Sequence, residues 1–144
     1  MVIIECRTGE NLELNLASLE NADLSGLNLH RAVLENKNLV NSTMIRTNLR
    51  SAELEYTDLS HSNLTEAQLM GAYLKGANLY SVCLMGAMLN GADFSDTNLC
   101  KADLSCVNIT ATKFHGALFD DETKWPANFN PIKNGAIRCL NSTH

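Results

Sequence analysis

The chain has 144 residues, 45% of them hydrophobic, with 11 Lys and Arg against 16 Asp and Glu and a formal net charge of -5. That length is one domain's worth, the scattered bases leave no footprint for direct nucleic-acid binding, and no 18-residue apolar run is present to cross a membrane as a helix. Five Cys (Cys6, Cys83, Cys100, Cys106, Cys139) with no CxxC pair fit reduced thiols better than a disulfide framework or a zinc site.

Residues 1–13 include Cys6-Arg7-Thr8-Gly9-Glu10 and fit no regular period. They are expected to form an N-terminal cap or an imperfect first coil over an open hydrophobic end. The opening Val2-Ile3-Ile4 is too short for a signal-peptide core and is followed at once by Glu5, so a soluble, cytoplasmic protein is expected.

From Leu19 to Phe119 every fifth residue is large and apolar, 21 positions without a break, all Leu except Met44, Phe94, Ile109, Phe114 and Phe119. The register extends back to Leu14, so 14–119 is read as one repeat domain. Two residues before each large position stands a small one, Ala at 11 of 21 and Ser, Thr or Val at eight more. A helix would rotate a five-residue stripe off its face. A flat strand alternates in twos, so the chain must turn a corner in every repeat. The small and large residues then point inward, the residue between them points out, and two residues make the corner. Six of the eight Gly fall at the second corner position, where a type II turn needs positive φ.

Units such as Ala22-Asp23-Leu24-Ser25-Gly26, Ala77-Asn78-Leu79-Tyr80-Ser81 and Ala92-Asp93-Phe94-Ser95-Asp96 resemble the A(D/N)LXX unit of the pentapeptide-repeat proteins. The resemblance implies an all-β fold, a right-handed quadrilateral β-helix with four repeats per turn. Residues 20 apart would stack, giving about five coils and a rod about 25 Å tall at roughly 4.8 Å per coil.

Two residues depart from the small inward position, Leu27 and Lys37. An unpaired buried ammonium costs several kcal/mol, so Lys37 is expected to reach water or to distort its coil. Met44 beside it is a flexible gap filler. The outward middle position is Asp or Asn in 11 of 21 repeats. Short amide and carboxylate side chains bond neighbouring backbone at corners, which makes these residues structural rather than catalytic pairs.

Met70, Tyr73, Tyr80, Cys83, Met85 and Met88 stand at outward or corner positions where Ser, Thr, Asp and Asn prevail. A belt of such groups is a possible interface. No catalytic, cofactor-binding or metal site is expected, because His30, His61, His115 and His144 fall in different columns or in the tail. The chain is therefore not expected to be an enzyme.

The period stops at Asp120-Asp121-Glu122, and residues 120–144 are read as a C-terminal cap and tail. This segment holds the only Trp and both Pro; Trp125 and Phe129 are expected to fold over the last rung as a structural cap, with 132–144 a loose end. The segment DETKWPANFNP is similar to endings of cyanobacterial pentapeptide-repeat proteins.

A non-catalytic protein-binding or scaffolding module is the function expected, its partner another protein and its own state a monomer or weak homodimer. The alternative that the family resemblance brings is a DNA-mimicking modulator of DNA gyrase. Against it, residues 14–119 carry ten acids and seven bases, a net of -3, and a 25 Å rod matches only about seven base-pair steps at roughly 3.4 Å each.

Overall fold

The structure is a computed structural model that describes residues 1–140. Among these there is no α-helix, and the only helical turn is a 3₁₀ turn over Ile132–Asn134. The fold is built from parallel bridges between middle positions 20 residues apart. They form four ladders. The first runs Asp23, Thr43, Asn63, Cys83 and Asp103; the second Asn28, Asn48, Gln68, Met88 and Asn108. The third runs Val33, Glu53, Tyr73, Asp93 and Lys113; the fourth Asn38, Asp58, Asn78, Asn98 and Leu118.

Every corner from Leu19 to Phe114 except the one after Leu104 is closed by a bond from the residue three beyond the large position, as Ala52 N–H donates to Leu49 O at 3.1 Å and Ala77 N–H to Leu74 O at 2.9 Å. The second corner residue has positive φ at every repeat from Asn21 to Gly116 except Cys106, which is the sign a type II turn requires. Only six of these positions are Gly; the others, such as Ser81 at 56° and Ala111 at 59°, hold a left-handed conformation that costs an L-residue roughly 1 kcal/mol. The bonds between coils outweigh that cost.

The inward column from Leu24 to Leu104 has no exposed surface at any large position. Inward Thr hydroxyls are satisfied within it: Thr47 Oγ1 donates to Leu24 O at 2.8 Å and Thr57 Oγ1 to Leu34 O at 3.0 Å. Met44 is buried in the same column.

At the N-terminal end the chain is a hairpin and not a coil. β1 (Val2–Ile4) pairs antiparallel with β2 (Leu12–Leu14), and Cys6 bridges Ala32 in the antiparallel sense. Leu14 therefore belongs to β2, opposite Val2, and the parallel register begins at Asp23 rather than at Leu14. Lys37 is exposed and Leu27 half-buried, because no stacked coil lies on the N-terminal side of these two positions.

The C-terminal end departs from expectation twice. The ladders continue past Asp120: Lys124 bridges Asp103, and Leu104 N–H donates to Lys124 O at 2.7 Å. The offset there is 21, so one inserted residue shifts the register and places Trp125 after Leu104 in its column. Nor is the segment after Ile132 loose as far as Leu140. β4 (Ile137–Arg138) pairs in parallel with β3 (Leu118–Phe119), and the 3₁₀ turn ends on Gly135 at φ 84°. Residues 141–144, with His144 and the Asn141 sequon, lie outside the described residues.

Candidate functional site

Two groups of outward residue bear on function. All 11 middle-position Asp and Asn accept, through Oδ1, the backbone N–H two residues on, at 2.9–3.3 Å. In Asp58, Asn63, Asp103 and Asn108 the same oxygen also accepts a Ser or Thr hydroxyl. This is the local bond that favours these types at turns. At Asp23 it also acts on the carboxyl: the Ser25 hydroxyl and amide hold Asp23 below the ordinary carboxylate range. The Ser105 hydroxyl does the same for Asp103, against the opposing effect of burial. A carboxylate so held is a poor general acid or base near neutral pH.

The second group is the apolar belt. Tyr73, Met85 and Met88 are 49%, 45% and 37% exposed. Met70, Tyr80 and Cys83 are half-buried. The register spreads the belt around the molecule: Cys83 lies on the first ladder, Met88 on the second and Tyr73 on the third. Met85 and Met70 occupy the corners after the first and second ladders, so Met85, Met88, Met70 and Tyr73 form one oblique strip. Tyr80, at the corner after the fourth ladder, is already engaged. Its ring meets His61 edge-on at 5.5 Å between centroids, and Lys101 Nζ lies 5.6 Å from the ring centre. Cys83 Sγ is 3.4 Å from Thr65 Oγ1.

Sequence reasoning missed Tyr56, the most exposed of the tyrosines at 57%, whose ring lies over Gly76. The signal was available: the two positions are 20 apart, so a Gly stacked on an aromatic leaves room for the ring. It also missed Glu55. Burial first, then Glu35, Glu53 and Asp93, push its carboxyl above the ordinary range, and its Oε2 is buried without a hydrogen-bond partner.

Trp125 and Phe129 join one aromatic cluster. Trp125 meets Phe114 at 5.3 Å and Phe119 at 5.7 Å, both edge-on, and Phe129 meets Phe114 at 5.4 Å. Phe114 in turn stacks on Phe94, 20 residues earlier, at 5.7 Å. Among the described residues no three His, Cys, Asp or Glu stand close enough together to hold a metal ion. His30 Nδ1 is instead bonded to Arg50 O at 2.9 Å. No helix of the described residues is long and apolar enough to cross a membrane. All five Cys are free thiols.

Comparison with known proteins agrees with this register. The pentapeptide repeats family matches in eight copies over residues 13–50, 28–65, 52–91 and 83–121. No curated protein matches the chain. Among solved structures, alr5209, a pentapeptide repeat protein from Nostoc Pcc 7120, is 32% identical over 67% of this chain and 84% of its own, with a TM-score of 0.38. Rfr23 from the cyanobacterium Cyanothece 51142 is 30% identical over 73% of this chain and 88% of its own, with a TM-score of 0.38. A pentapeptide repeat protein of the Arabidopsis thaliana thylakoid lumen is 23% identical over 82% of this chain, with a TM-score of 0.53; the match spans 62% of that protein. Proteins of this kind fold as right-handed quadrilateral β-helices, in which four five-residue sides make one turn, and the 20-residue bridges here have that spacing. With its unbroken five-residue period, its 20-residue ladders and its eight matched copies, this chain belongs to the pentapeptide repeat family.

Proposed function

We propose that this protein is a non-catalytic binding module: a rod of about five coils, capped by the N-terminal hairpin and by the Trp125–Phe129 cluster, that presents an outward strip to another protein. The observation that carries this reading is the exposure of Tyr73, Met85 and Met88 in neighbouring coils, where Asp, Asn, Ser and Thr otherwise prevail. Met70 completes the strip, and Tyr80 and Cys83 extend it on sides where they already have contacts within the chain. Aromatic and Met side chains are the types enriched at interface cores, and rigid solenoid surfaces serve as binding faces. Pentapeptide repeat proteins are generally structural or regulatory rather than enzymatic. The reading includes a cytoplasmic location, which five free thiols favour, and a monomeric or weakly dimeric state.

The test is affinity purification from a lysate of the source organism with the native protein and with a Tyr73→Ser, Met85→Glu, Met88→Ser variant. The native form is expected to retain a protein that the variant loses while its circular dichroism stays unchanged. Identical retained sets would contradict the reading. Gyrase subunits among the retained proteins would favour the DNA-mimic alternative. Similarity to QnrB1, a plasmid-mediated fluoroquinolone resistance protein, lends that alternative no support, since at 18% identity it speaks to the fold alone.

A further inference from the structure

The fourth ladder lacks its first rung. Asp58, Asn78, Asn98 and Leu118 each donate a backbone N–H to the preceding coil, at 2.8–3.1 Å. By the same register Asn38 would donate to Ala17 O and accept from Leu19 N–H, and neither bond forms. Ala17 and Ser18 are exposed instead, and the chain rejoins the stack only at Asn21, whose N–H donates to Val40 O at 2.9 Å. The break leaves an apolar cleft of about 260 Å³, walled by Ile3, Ile4, Leu19 and Leu34, with Lys37 and Asn38 among its lining. None of the lining residues is acidic, and Lys37 has no carboxylate partner among the described residues.

We propose that this cleft is a docking site for an extended segment of another protein, which adds to the fourth ladder as the missing rung. The segment places an aliphatic side chain in the cleft and a carboxylate against Lys37. Among the described residues the Asn38 N–H and C=O have no backbone partner, the arrangement at a strand edge that an added strand satisfies. A fatty acid would fill the apolar space and meet Lys37 but leave these two backbone groups unpaired. The unpartnered ammonium beside acid-free walls selects an acidic segment over a basic one. This site lies at the N-terminal end, so it stands or falls separately from the outward strip.

The probe is the peptide N-acetyl-Ser-Leu-Asp-Leu-Ser-amide, titrated into the ¹⁵N-labelled full chain alongside its Asp→Asn counterpart. Binding is expected to shift the amides of Ile3, Lys37 and Asn38 and to slow exchange of the Asn38 amide at least tenfold at saturation. The Asn peptide is expected to bind at least threefold more weakly, a difference that disappears in Lys37→Gln. Because Lys37 is exposed, that variant should fold, and unchanged dispersion of its spectrum checks this. Unmoved Asn38 and Lys37 amides at millimolar peptide would overturn the proposal, as would equal binding of both peptides. Two other occupants would also overturn it. Octanoate reproducing the shifts without protecting Asn38 would identify a fatty-acid site, and the same shifts on concentrating the protein alone would identify a second copy of the chain.

Discussion

Replacing Asp103 separates a structural role for the outward acids from an electrostatic one. Its Oδ1 accepts the Ser105 N–H at 3.0 Å and the Ser105 hydroxyl at 2.6 Å. Asp103→Ala removes both bonds, each worth about 1 kcal/mol net, so a loss of about 1–2 kcal/mol is expected. For a chain of this size that is a Tm fall of about 3–8 °C. Asp103→Asn keeps the oxygen. Asn108 shows that an amide suffices, since it accepts the Thr110 N–H at 3.1 Å and the Thr110 hydroxyl at 2.9 Å. The Asn variant should therefore stay close to the native Tm at pH 7. The pH dependence separates the two further. The Asp103 carboxyl is held below its unfolded value, so its contribution is present above about pH 4 and is lost as pH falls through the folded value. Asp103→Asn should flatten that part of the acid limb. Thermal melts followed by circular dichroism from pH 3 to pH 8 read both effects. If Asp103→Asn loses as much as Asp103→Ala at pH 7, charge rather than turn geometry holds the corner at Asp103, and the structural reading of the four Asp at middle positions fails.

Three further outcomes are expected. Gly76→Ala puts a methyl into the Tyr56 ring at a φ of 73°, and should cost about 1–2 kcal/mol in denaturant melts, while Tyr56→Ser in the same background should recover only the part due to the clash. Glu55→Gln should raise Tm at pH 7 and give no gain at pH 3, because burial and three neighbouring carboxylates disfavour the ionised form and this penalty vanishes as Glu55 protonates. In alkylation at pH 8 followed by peptide mapping, Cys106 should be modified well before Cys100. Cys106 is exposed, whereas burial, with Cys139 and Asp120, pushes the Cys100 thiol up to about 11.

The repeat was legible because its rule is local. A five-residue period leaves one corner per unit, and both the Asp or Asn bonds and the type II turns follow within a few residues of each position. The ends were harder to read because they depend on contacts that no period encodes. The β1–β2 hairpin pairs Val2 with Leu14 by antiparallel register, which the apparent Leu14 repeat position conceals. The insertion at 120–123 keeps a small residue, Thr123, whose hydroxyl reaches Leu99 O at 2.9 Å as other inward Thr hydroxyls reach theirs. A strict step of five passes over it. Lys37 is visibly out of place in the sequence, but its reason, a missing rung beneath it, lies in the path of residues 15–18 rather than in Lys37 itself. The five-residue register puts the belt on adjoining sides of the coil, but it does not show that Tyr80 packs against His61 and Lys101, because those contacts depend on side-chain placement.

The 20-residue register is the claim on which every outward assignment depends, and disulfide trapping tests it most directly. In a background with the five native Cys replaced by Ser, Gln68→Cys with Met88→Cys is expected to oxidise to an internal disulfide, since these residues are bridge partners on the second ladder. Gln68→Cys with Asn78→Cys, closer in sequence but on the second and fourth ladders, should remain reduced. Efficient trapping of the second pair with none of the first would rule out the 20-residue register.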